Sequence, residues 1–150
     1  MTLAVRPLTA TDAPLAAAFV GRLIAELVPD HQPDLTIMAE TARVLLSGPM
    51  VTGLAAFDAG EAVGVLMLNE CAAIYAGGRF GEITELYVLP DQRSRGVARQ
   101  LVAAAREVGR QRGWRRLEVG APEQPRWART KAFYEREGFA EVGPRLKLGL

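Results

Sequence analysis

The stretch "RSRGVA", Arg93–Ala98, places two arginines and a glycine between an apolar strand phrase, "ELYVL", and a helical phrase, "RQLVAAAREVGRQR". A helix N-terminus exposes unpaired backbone N–H groups and the positive end of the helix dipole, which makes it a seat for an anion. Gly96 permits close approach of the backbone, Ala98 keeps the first turn slim, and Arg93 and Arg95 add charge. From Asp91 to Arg116 there are 8 arginines against 2 acids, a formal +6 inside a chain of net charge +1. A pyrophosphate with a further phosphate suits such a field. A solvated basic helix suits it equally on spacing alone, because 16 of the 18 basic residues are arginine. A single glycine is neither a Walker loop, which needs a second glycine and a lysine, nor a GxGxxG turn.

Two other residue types can move protons. Glu85 interrupts "ITELYVL", otherwise apolar apart from Thr84. A carboxylate in a central strand has a desolvation cost, so it is either a functional base or a strand-end charge facing solvent or an arginine. Strict alternation puts Glu85 with Ile83 and Tyr87 on one face and Leu86 with Val88 on the other; a bulge would change that count. Glu82 is the second carboxylate of this strand. Tyr134, in "TKAFYEREGF", is a phenol that can donate a proton or a side chain that packs against the sheet beside Phe133. One histidine, His31, and one cysteine, Cys71, argue against a transition-metal site and leave no intramolecular disulfide. Trp127 and Tyr75 are candidates for the wall or rim of an acceptor pocket.

The elements that must hold these residues alternate along the chain. "LAVRPL" reads as a strand. "TATDAPLAAAFVGRLIAELV" reads as a helix with Thr9 as N-cap and Asp12 as its capping-box acid. "LTIMAETARVLLSG" reads as a second helix stopped by Gly48 and Pro49, and "MVTGLAAFDAGEAVGVLMLN" as a hairpin turning at "DAGE". "AGGRFG" is a loop, "EITELYVL" a strand stopped by Pro90, and Val97 to Arg112 a helix with an apolar stripe at Val97, Leu101, Ala104, Ala105 and Val108. "RRLEVGA" is a strand and "WARTKAFYERE" a helix. "FAEVG" and "PRLKLGL" read as two final strands joined at Pro144. The expected architecture is α/β, a mixed sheet flanked by helices on both faces, with residues 82–119 forming a parallel strand–helix–strand crossover.

The composition is that of a single globular domain over residues 1–150, with 49% hydrophobic and 23% charged residues. No apolar run is long enough for a membrane span, and no signal pattern opens the chain. A reducing cytoplasm is the expected compartment. The near-neutral net charge argues for neither a nucleic-acid nor a membrane partner.

"RSRGVA" fits the pattern Q/R-x-x-G-x-G/A, and "ELYVLPDQRSRGVARQLV" together with "TKAFYEREGFAEVG" resembles the GNAT superfamily of acyl-coenzyme A-dependent N-acetyltransferases. The order of elements agrees from "VRPLTATD" to "RLKLGL". The resemblance implies a mixed, mostly antiparallel sheet containing one parallel, splayed strand pair. It implies acetyl-CoA as cosubstrate. The backbone of Arg93, Ser94, Arg95, Gly96, Val97 and Ala98 would hold its pyrophosphate. The strand edge at Leu86, Tyr87 and Val88 would bond its pantetheine arm as an added strand. Tyr134 would contact the cofactor and protonate the leaving thiolate, and Glu85, or Glu82 through water, would leave the amine neutral. Trp127 stands where the late helix of the family often carries an asparagine. The implied acceptor is an amine of a small molecule or peptide, drawn in by acids such as Glu26, Asp30, Asp34 and Glu40. A non-catalytic acyl-CoA-binding module and a nucleotide or nucleic-acid binder are the other classes open to this chain. "PRLKLGL" suggests a homodimer through an apolar terminal strand.

Overall fold

A computed structural model of the chain describes residues 2–150. Five strands form one sheet in the order β1 (Leu3–Pro7), β2 (Val51–Asp58), β3 (Glu61–Ala73), β4 (Gly78–Val88), β5 (Leu117–Val119). Neighbours are antiparallel except β4 and β5, which are parallel, as a crossover requires. The β2–β3 hairpin turns at Ala59 and Gly60, both at positive φ, the geometry that matches the twist of two-residue hairpins.

Helices cover both faces. Helix α1 (Ala13–Leu27) and α2 (Leu35–Ser47) lie on one, where Phe19, Val65, Met67 and Tyr87 share a core. Helix α3 (Val97–Arg112) and α4 (Ala128–Arg136) lie on the other, where Leu66, Leu68, Ile83, Leu101, Val102 and Tyr134 share a second core. The stripe expected on α3 is the face it buries, with Val102 added and Ala104 and Val108 only partly covered. The helix sits close to the sheet because β3 carries Gly64 beneath it; a Cβ there would lie 3.0 Å from Val97 Cγ1. Gly113, left-handed at φ 73, ends α3. At the start of α1 the Thr9 amide donates to Asp12 Oδ2 at 2.8 Å, but the first turn, Ala10–Asp12, is 3₁₀.

Three expectations change. Four of the six residues of the "AGGRFG" loop are strand: β4 begins at Gly78, and Gly81 lies inside the sheet, where a Cβ would overlap the Trp114 ring. The strict alternation of β4 fails. Met67 pairs with Glu85 and Leu68 with Ile83, so Thr84 bulges out. Ile83 therefore faces the α3 side with Leu86 and Val88, while Glu85 stays with Tyr87 on the α1 side. Glu82, next to Ile83, also faces the α1 side, so the bulge puts both glutamates on one face. Finally, residues 139–150 form no strand. "PRLKLGL" has strand periodicity, but Gly143 turns at φ 124, Pro144 brings no N–H, and β5 offers only three residues of edge. Val142, Leu146, Leu148 and Leu150 are left exposed.

Candidate active site

The turn between β4 and α3 is built by two left-handed residues, Ser94 at φ 63 and Gly96 at φ 83. They direct successive amides toward one side, as in an anion-binding nest. The N–H groups of residues 94–99 meet no acceptor among the described residues, and the first bond into α3 is Gln100 N–H to Gly96 O at 3.0 Å. These amides border a cavity of about 520 Å³ lined by Val88, Ser94, Gly96, Ala98, Phe133 and Arg136, among others. A Cβ built on Gly96 meets nothing within 4 Å, so it would project into open space. Unpaired amides, a helix N-terminus and flanking Arg99 and Arg136 fit a di- or polyphosphate chemically.

The arginines of the turn are not equivalent. Arg93 Nη2 binds both oxygens of Glu26 at 2.8 and 3.1 Å, its Nε donates to Val88 O at 3.0 Å, and its guanidinium lies 5.2 Å from the Tyr87 ring centroid. Tyr87 Oη donates to the same Glu26 carboxylate at 3.1 Å, and burial first, then Glu26, pushes its phenol pKa up. Arg93 is thus a strut between α1 and the turn, and its side chain is not free for a ligand. Arg95 bonds Gln92 at 3.3 Å and does not line the cavity. Further along, Arg112 reaches Pro49 O and Thr52, Arg116 binds Glu118, and Arg106 donates to Glu137 O. The +6 segment is therefore largely engaged within the chain rather than presented as one basic surface.

Beside the turn, the sheet opens. β5 pairs with β4 only from Gly81 to Ile83 and ends at Val119, while β4 runs on to Val88. The edge of β4 past Ile83, including Leu86, Tyr87 and Val88, is uncovered by β5. A larger cavity, about 1310 Å³, follows β5 and the C-terminal segment. Tyr134 and Glu82 both line it; Glu85 lines neither cavity. Glu85 accepts instead from the Thr84 hydroxyl beside it.

Tyr134 is 7% exposed, set between Phe133 and Phe139 with ring centroids 5.3 and 5.5 Å away. Its hydroxyl bonds no group among the described residues. Burial pushes its pKa up to about 12, because the phenolate would lose hydration with no cation in compensation. It is a phenol held neutral with its donor free.

Of the remaining sequence candidates, Tyr75 lines the larger cavity and Trp127 does not; Trp127 starts α4 under Arg126. Of the four acids expected to attract an amine, Glu26 holds Arg93, Asp34 caps α2 through the Thr36 and Ile37 amides, and Glu40 pairs with Arg43. Sequence reasoning missed Phe133, Arg136 and Arg99 as cavity walls. It also missed Glu26 as the anchor of the turn. The three-residue spacings Gly96–Arg99 and Phe133–Arg136 signal the walls; nothing local signals a partner for Arg93 67 positions away. No helix among the described residues is long and apolar enough to cross a membrane.

Comparison with known proteins agrees with this geometry. The Acetyltransferase (GNAT) family profile matches residues 20–139. An aminoalkylphosphonate N-acetyltransferase of Salmonella typhimurium is 33% identical over 122 residues, covering 81% of this chain and 77% of that protein. Among solved structures, an aminoglycoside acetyltransferase from an uncultured soil metagenomic sample superposes with a TM-score of 0.81 at 24% identity, over 100% of this chain and 99% of the other. An aminoglycoside N-acetyltransferase in complex with CoA does so at 0.79 and 19%, over 99% and 95%. At those identities the structural matches speak for the fold alone. The free amides of the nest, the open edge of β4, the profile match and the 33% relative lead to one assignment: this chain belongs to the GNAT family, as an acyl-CoA-dependent acetyltransferase whose cosubstrate is acetyl-CoA.

Proposed function

We propose that the chain transfers the acetyl group of acetyl-CoA to the amine of a small molecule or peptide, by direct attack within a ternary complex. The observation that carries this is the run of unpaired amides from 94 to 99 opening beside the uncovered edge of β4. In this reading the amides of Ser94 to Ala98 surround the pyrophosphate; the Arg93 amide, expected among them from the sequence, is instead given to Pro90 O at 3.4 Å. The backbone of Leu86, Tyr87 and Val88 accepts the pantetheine arm, with the Val88 carbonyl already held by Arg93. Residues 1–150 work as one domain, in a reducing cytoplasm.

The amine nitrogen attacks the thioester carbonyl, the C–S bond breaks, and the ammonium proton must leave. Tyr134 faces the forming thiolate. A phenol near 12 does not hand its proton fully to a thiolate whose reference pKa is about 8.5, because transfer over some three units is uphill by about 4–5 kcal/mol. It acts as a fixed hydrogen-bond donor to the developing charge. Glu82, which shares its cavity, takes the ammonium proton through water; Glu85, next to Thr84, is the alternative. Glu82→Gln should then lower turnover and flatten the acidic limb of the pH–rate profile, while Glu85→Gln leaves the profile close to wild type. The reverse pattern would assign the base to Glu85.

Free thiol release from acetyl-CoA tests the activity across aminoalkylphosphonates, aminoglycosides, polyamines, amino acids and peptide N-termini. Release that no amine raises above the amine-free rate would refute the transfer reading. The apolar residues Val142, Leu146, Leu148 and Leu150, exposed on a segment without a ladder, support a homodimer through this segment. Sedimentation analysis should show a dimer that truncation after Gly143 dissociates; a monomer at all concentrations would exclude it.

A further inference from the structure

The C-terminal segment brings Arg145 across the end of β5. Its Nη2 lies 3.2 Å from Glu82 Oε1. Gly120, the first residue beyond β5, makes room for it: a Cβ there would lie 2.9 Å from Arg145 Nη1 and 3.1 Å from its Cδ. The guanidinium therefore sits where β4 and β5 stop pairing, on the rim of the cavity that holds Tyr134.

Arg145 differs from the other cations around that cavity by its place beside Glu82, where β4 and β5 part; Arg110, also held by a single bond, to Glu107 at 3.4 Å, lies in the last turn of α3. Arg116 gives both Nε and Nη2 to Glu118, Lys131 binds Glu141 at 3.1 Å, and Arg106 holds the carbonyl of Glu137. Arg145 makes one bond, and its Nε and Nη1 meet no acceptor among the described residues. Its side chain is 65% exposed. A guanidinium with two donors to spare matches the paired oxygens of a carboxylate, sulfonate or phosphonate. The cavity as a whole carries six carboxylates and five cationic side chains, a mixed lining rather than the acidic trough that a polycation would require.

We propose that Arg145 selects the acceptor, by binding an anionic group carried a few bonds from the reacting nitrogen, so that the acceptor is a small amino acid-like zwitterion. This rests on the transfer reading above. The ammonium end of such a molecule lies toward Glu82, and its anion replaces nothing but solvent on the free edge of the guanidinium. One hydrogen-bonded charge contact of this kind discriminates by roughly 10–100-fold.

The test compares 2-aminoethylphosphonate, β-alanine and taurine with propylamine, ethanolamine and spermidine, on the wild type and on Arg145→Gln. The wild type should favour the anionic amines by roughly 10–100-fold in kcat/KM. Arg145→Gln should erase that preference through the acceptor KM, lowering kcat/KM for the anionic amines far more than for propylamine, and be partly rescued in Arg145→Lys. A wild type that prefers spermidine or propylamine would overturn the proposal. So would an Arg145→Gln enzyme that is faster on every amine, which would make Arg145 an occluding residue on Glu82. If acetyl-CoA binds but no amine is acetylated, the transfer reading fails. Calorimetry of 2-aminoethylphosphonate on the CoA-loaded protein then decides for Arg145 alone: binding that Arg145→Gln abolishes supports the anion seat, and absent or unchanged binding refutes it.

Discussion

Tyr134→Phe is expected to fold, to bind acetyl-CoA like the wild type, and to lose roughly 10²–10³-fold in turnover, the scale of removing one donor aimed at a developing charge. The substitution keeps the ring between Phe133 and Phe139 and deletes only an oxygen that bonds no group among the described residues, so little folding energy is at stake. The loss should appear in kcat, because the donor acts on charge that develops only as the C–S bond breaks. Pre-steady-state measurement of the transfer step keeps slow product release from hiding it. Normal single-turnover rates in the variant would show Tyr134 to be a packing residue. The phenol also makes a prediction about pH. Its folded pKa, about 12, lies above the unfolded value near 10, so the folded state holds the proton more tightly. The associated stability is intact below pH 10 and is lost as pH rises from 10 toward 12, by about 2–3 kcal/mol. Tyr134→Phe should flatten the part of the alkaline unfolding curve that Tyr134 contributes, and turnover should show no alkaline limb from this residue below about pH 11.

Gly96→Val is expected to abolish acetyl-CoA binding while the protein still folds. Gly96 adopts φ 83, a region that costs a β-branched residue about 1–2 kcal/mol, so the turn must rearrange or carry the strain. Either outcome misdirects the amides of residues 94–99. Gly96 lines the cavity and nothing lies within 4 Å of a Cβ built on it, so the strained backbone, not a clash within the chain, carries the effect. Acetyl-CoA at 100 times its Kd should stabilise the wild type by about 2.7 kcal/mol, or roughly 5–11 °C in Tm for a chain of this size. The variant should show no shift, and Gly96→Ala an intermediate one. Equal shifts in wild type and Gly96→Val would remove the nest from the binding site.

Much of this was legible from local spacing. The apolar period of α3, the Gly113 stop, the Asp58–Glu61 hairpin turn and the glycine before α3 are read within one or two turns of chain, where backbone sterics and side-chain period leave few alternatives. The "RSRGVA" and "TKAFYEREGF" phrases carried the family for the same reason. Three things required the tertiary structure. The bulge at Thr84 is a mismatch between two strands, and it alone decides that Glu82 and Glu85 share a face. The partners of charged side chains lie far along the chain: Arg93 meets Glu26 and Arg145 meets Glu82, so a turn arginine becomes a strut and a tail arginine comes to the rim of the site. The end of the chain has the alternation of a strand, yet periodicity only prepares a strand, and a ladder needs a neighbouring edge with free N–H and C=O groups in register. Residues 139–150 meet no such edge in this chain, so their alternation shows which side chains share a face and not what covers them.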